Sequence, residues 1–89
     1  MQVPKLKVLV EAGAVREAAA SYQAEVSGWT VQVTYASRRG ERREVLERQR
    51  GGVRVFATLD AVARSLAGLG LSAFQVHVAG LPGAGDEPP

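Results

Sequence analysis

Seven arginines and three glutamates fall between Arg38 and Arg54, while the rest of the chain holds four basic and six acidic residues. A guanidinium is a planar fork that donates in pairs to phosphate or carboxylate oxygens, so a cluster of them is the electrostatic footprint of a polyanion. Arg38, Arg39, Arg42, Arg43, Arg48 and Arg50 are the candidate nucleic-acid contacts. Arg54 is assigned a structural place. DNA contact requires that these guanidiniums project together from one side of a hairpin, unneutralised by Glu41, Glu44 and Glu47. The competing reading is a solvated edge whose charges oppose sheet-to-sheet aggregation, with the glutamates as local ion-pair partners of the arginines.

Other chemistry is thinly supplied. His77 is the only histidine, which excludes a histidine-pair metal site and gives a nucleophile relay no partner. Glu41, Glu44 and Glu47 are interleaved with arginines that keep carboxylates ionised, the wrong state for a general acid. Gly51-Gly52 lacks the strand, lysine and helix that make a phosphate loop, and reads as a hairpin tie. No serine has an activating base. A non-catalytic protein is expected, without cofactor or metal. Trp29 and Tyr35 could stack bases, but sharing a face with Val31 and Val33 favours core packing.

These side chains need a support, and the chain is long enough for one small domain with one core. Residues 1–79 are expected to form it, and 80–89, GLPGAGDEPP, to be a disordered tail. The apolar fraction of 46% suits a globular domain, and the absence of cysteine leaves the compartment open, with the cytoplasm the default. No apolar run approaches the roughly 18 residues of a membrane helix, so no membrane partner is expected. The net charge is only +2, which makes clustering matter more than the isoelectric point near 9.5.

Pro4 can open a helix with Leu6, Leu9 and Val10 on one side, and Gly13 offers a left-handed stop. From Ala14 to Ala24 helix propensity competes with strand alternation, Val15, Ala19 and Ser21 against Arg16, Ala20 and Tyr22, and both stay open. Trp29 to Tyr35 alternates cleanly as a strand with one buried face. A turn at Ser37–Gly40 leads to a polar return strand, Glu44 to Arg50, and Gly51-Gly52 leads to a third, central strand, Val53 to Ala57. Thr58 then caps a helix whose Leu59, Val62, Ala63 and Leu66 form one apolar stripe, with Asp60 and Arg64 paired outside. Phe74, Val76 and Val78 alternate in a last strand. The predicted architecture is α+β: a mostly antiparallel sheet of four or five strands, one main helix packed on a face and a short N-terminal helix.

The order strand, turn, strand, strand, helix, with WTVQVTY and then VFATLDAVA, resembles over about half the chain the arm-binding N-terminal domain of tyrosine-recombinase integrases, whose sheet enters the major groove. A resemblance over nearly the full length is carried by VEAGAVREA, Val10 to Ala18, by GWTVQVTY, Gly28 to Tyr35, and by the stretch from Arg50 to Val76. These segments are similar to the small ParC-type partition-associated proteins of plasmids and integrative elements, which are unrelated to the topoisomerase subunit of that name. The family's R-G-x-x-R-x-F-x-x-L signature falls on Arg50, Gly51, Arg54, Phe56 and Leu59. The resemblance implies a mobile-element setting and no chemical role, and it shifts residues 14–24 towards strand, hairpinned onto Trp29 through Ser27-Gly28. The expected function is therefore a partition-associated accessory protein that contacts DNA through the Arg-rich hairpin. The alternative is a protein-interaction module or homodimer, built by adding edge strands, that acts on partition proteins or a host defence factor without touching DNA.

Overall fold

The computed structural model describes residues 1–81 of the 89. Helix α1 spans Val3–Glu11, β1 Val15–Gln23, β2 Gly28–Ser37, β3 Gly40–Val45, α2 Leu59–Gly68 and β4 Gln75–His77. The sheet order is β3-β2-β1-β4, with the first two pairings antiparallel and β4 parallel to β1. This is the expected α+β architecture, with a short N-terminal helix and a second helix on the sheet.

Strand β2 organises the core. Trp29, Val31, Val33 and Tyr35 are all buried, and Val31 and Val33 are wholly so. Ala18 and Ala20 of β1, Leu6 of α1, and Val62 and Leu66 of α2 join them in one cluster. Both helices therefore supply apolar side chains to the same face of the sheet. Thr58 caps α2 by accepting the Ala61 N–H on its hydroxyl at 3.1 Å, and Asp60 and Arg64 pair at 3.0 Å on the exposed side.

Residues 14–24 resolve as strand, with Tyr22 opposite Trp29 across the hairpin. Their phase differs from simple alternation because the register shifts between Val15 and Glu17, leaving Arg16 as a bulge. Val15 faces Tyr35 on the core side and Ala18 and Ala20 follow on that same side, while Glu17, Ala19 and Ser21 point away. Ser27 takes a left-handed conformation (φ 50°) after the single 3-10 turn Ala24–Val26, which returns the chain into β2.

Two predicted strands are corrected. The return strand begins at Gly40 and ends at Val45, instead of running from Glu44 to Arg50, because Arg38 and Arg39 alone make the turn. Ser37 stabilises that turn by donating its hydroxyl to the Gly40 carbonyl and accepting the Arg39 N–H. Residues 53–57 are extended but make no ladder. Beyond Gln32 the free edge of β2 is already met by Leu46, whose N–H donates to the Val31 carbonyl, and Phe56 takes the place opposite Trp29 as an isolated bridge. Phe56 thereby enters the core, while Val53 and Val55 stay exposed. The sheet is left with four strands. The expected tail, apart from Gly80 and Leu81, lies outside the described residues.

The Phe56 bridge depends on Gly28. A Cβ there would come within 2.4 Å of Val55 Cγ1 and 2.9 Å of the Phe56 carbonyl oxygen. Gly28→Ala should lower stability by about 1–3 kcal/mol, the usual cost of forcing an extra carbon into packed structure. At Gly68 a Cβ meets nothing, and Gly68→Ala should be neutral or stabilising by up to about 1 kcal/mol. Urea unfolding midpoints of the two variants check both.

Candidate nucleic-acid interface

The candidate arginines occupy three kinds of position. Arg38 and Arg39 form the tip of the β2–β3 hairpin and are exposed. Arg42 and Arg43 lie on β3, where Arg42 is opposite Tyr35 on the helix side and Arg43 is opposite Thr34 on the uncovered side. Arg48 and Arg50 belong to the loop after β3, whose reversal places Gly51 and Gly52 at φ 89° and 80°. At about 3.3 Å per residue, the six residues of β3 separate tip from loop by about 20 Å. The guanidiniums do not share one face, and the expectation that they do is corrected: alternation along β3 sends adjacent arginines to opposite sides.

Their expected partnership with the glutamates also fails. Glu44 accepts from Lys5 Nζ at 2.8 Å and from the Tyr35 hydroxyl. The Met1 ammonium lies 3.6 Å from Glu44 and 3.1 Å from Glu47 and donates to the Val45 carbonyl. Among the described residues, Arg38, Arg39, Arg42, Arg43, Arg48 and Arg50 have no carboxylate within ion-pairing distance. Two glutamates adjacent in sequence to the arginines are thus drawn off by cations of the N-terminal segment, some forty residues earlier. Among the described residues, Glu41 alone of the hairpin carboxylates has no ion-pair partner.

Individual arginines differ in freedom. Arg48 donates from Nε to the Gly51 carbonyl at 3.2 Å, closing its own loop. Arg43 donates weakly to the Thr34 hydroxyl at 3.4 Å. The Arg54 guanidinium lies over the Phe56 ring, 4.5 Å from its centroid, and so caps the core at the point where the Phe56 bridge closes it. Of the other signature residues, Leu59 packs against the core cluster and Gly51 supplies a positive φ in the loop.

Helices cover only one face of the sheet, so the other presents a grid that sequence reasoning did not single out. One cross-strand row runs Glu17, Thr34, Arg43; a second runs Gln75, Ala19, Gln32, Val45; a third brings His77 beside Ser21 and Thr30. Ala19 floors a shallow dish of about 200 Å³ rimmed by Glu17, Gln32, Arg43 and His77. That is smaller than the roughly 300–1,000 Å³ typical of small-molecule sites. Glu17 and His77 stand in rows four residues apart along β1, about 13 Å at 3.3 Å per residue, too far to share a proton. The alternation in 15–23 that could have exposed this grid was hidden by the bulge at Arg16.

Fold and interface together define a small α+β protein with a sheet covered on one side and a cationic hairpin at one edge. A family model described as ParC-like matches residues 1–82, and the chain belongs to the ParC-like family. That membership is compatible with an accessory protein of a plasmid. No curated protein and no solved structure gave a match.

The Lys5 ammonium first, then the Tyr35 hydroxyl, holds the Glu44 carboxyl down to about 2 against the desolvation that would raise it. A depressed carboxylate contributes stability that is complete above its unfolded value near 4.5 and is lost as pH falls towards 2. Because the Lys5 side chain is 51% exposed, solvent screening reduces that contribution to about 1 kcal/mol. Chemical denaturation of the wild type should therefore weaken between pH 4.5 and 2 by about that much more than denaturation of Glu44→Gln.

Proposed function

We propose that the chain is a non-catalytic accessory binding protein of a plasmid or integrative element, partition-associated, and that it contacts DNA phosphates through the β2–β3 hairpin. The observation that carries this reading is the diversion of Glu44 and Glu47 onto Lys5 and the Met1 ammonium, which leaves the interleaved arginines without carboxylate partners among the described residues. Unpaired guanidiniums keep their donors for phosphate oxygens. Of the two conditions drawn from the sequence, freedom from the glutamates holds and projection from one side does not; with Arg38 and Arg39 at the tip and Arg42 and Arg43 on opposite faces, the contact proposed is insertion between two phosphate-bearing walls and not docking of one flat cationic face. A two-stranded ribbon fits a major groove about 12 Å wide. Arg48, folded over its loop, is assigned a minor part, and Arg50 stands apart from the tip. No cofactor is invoked.

A second reading, a protein-interaction module or homodimer, is favoured by a different feature, Glu41 and Arg43 on the outer edge of β3, which have no ion-pair partner among the described residues. Fluorescence anisotropy with a labelled duplex across a salt series tests the first reading. Affinity should fall with salt at a log–log slope of about −0.9 per phosphate contacted, and Arg38→Ala with Arg39→Ala should reduce that slope by about two contacts. Arg50→Ala should change it little. Absence of binding at about 50 mM salt, or a slope indifferent to loss of both tip arginines, overturns it.

A further inference from the structure

We infer that two copies of the chain pair through their β3 edges, antiparallel about a twofold axis that passes at Arg42. The proposal deepens the second reading above and is independent of DNA contact.

Hydrogen-bond phase selects the edge atoms. Leu46 donates its N–H to the Val31 carbonyl, so Glu44 and Arg42, two and four residues earlier, also turn their amides towards β2. Glu41, Arg43 and Val45 turn theirs outward. The Val45 carbonyl is capped by the Met1 ammonium. Glu41 and Arg43 have no backbone partner on that side among the described residues. Centring a twofold on Arg42 sets Glu41 directly opposite Arg43 of the second copy, and Arg43 opposite its Glu41. Each such pair exchanges both N–H···O bonds, the narrow pairing of an antiparallel ladder.

Charge fixes the same register. Glu41 and Arg43 share the uncovered face, opposite Ala36 and Thr34, and neither has an ion-pair partner among the described residues of its own chain. The twofold gives each the partner it lacks, twice over. A shift of the axis to Arg43 would oppose Arg43 to its own copy and call on the Val45 carbonyl already capped. An edge charged only to prevent association would carry one sign, because like charges repel in any register. Opposite signs two residues apart instead satisfy a twofold centred between them. The cost is Arg42 facing Arg42 of the second copy on the helix side. Since the axis runs through a residue, both helix layers remain on one side and the uncovered faces merge into one surface of an eight-stranded sheet. The pairing is short, ended by the turn at one side and by the Met1 ammonium at the other, so the dimer is weak and concentration-dependent.

Sedimentation velocity of the full chain across a concentration series is the test, with circular dichroism to confirm that each variant is folded. Glu41→Arg or Arg43→Glu alone should weaken the dimer about tenfold or more, since each turns two attractive pairs into repulsive ones, and the double exchange should restore it to within about threefold. Arg42→Ala should strengthen the dimer by relieving the on-axis repulsion, while weakening any DNA contact. Glu41→Arg acts in the opposite sense, adding a cation for DNA while breaking the dimer, so the two readings fail separately. The inference is overturned by a chain still monomeric at about 1 mM, the concentration at which even −4 kcal/mol of association would show. It is also overturned if the double exchange does not restore pairing, or if a dimer ignores both reversals and is lost on Val76→Lys, which would move the contact to the β4 edge.

Discussion

The structure depends on keeping one face of β2 dry. Trp29, Val31, Val33 and Tyr35 form one continuous buried row, and neither helix, at nine and ten residues, is long enough alone to span it. The two helices divide the task, and Phe56 and Leu46 close the side that β3 leaves open. Gly28 is small because the chain that brings Phe56 back passes directly against it. The bulge at Arg16 has the same origin: it brings Val15 and the Ala18–Ala20 pair onto one side, where a regular strand would have placed them on opposite sides.

Covering one face with helices commits the remaining charge to edges and to the uncovered side. The hairpin is made cationic less by its composition than by where its acids go. In sequence, Glu44 and Glu47 belong to the arginines; in space they belong to Lys5 and Met1. Tyr35 ties the two levels together, since its ring lies in the core and its hydroxyl reaches Glu44 at the rim. A core residue thereby helps decide the electrostatics of the edge strand.

Much of the architecture was legible from local pattern. Trp29–Tyr35 showed a clean period of two, and Thr58 with Leu59, Val62 and Leu66 gave a cap and a stripe that the fold retains. What could not be read had non-local or phase-breaking causes. Gly40–Val45 carries charge on both faces, so it has no hydrophobic period to reveal a strand. Val53–Phe56 alternates as a strand does, but the edge it would need is occupied by Leu46, itself buried between Val45 and Glu47 in a segment that looks polar. The candidate arginines were identifiable by type, but their division between tip, two faces and loop was not. Nor could the partners of Glu44 and Glu47 be foreseen, because they lie some forty residues away.

The one-sided helix layer bears on how such a chain can diversify. Side chains on the helix side are constrained by volume and must change in concert, whereas those on the Glu17–Arg43 and His77–Ser21 rows have no helix packed above them among the described residues. A substitution on that surface can therefore alter what the chain touches while leaving the scaffold beneath it intact.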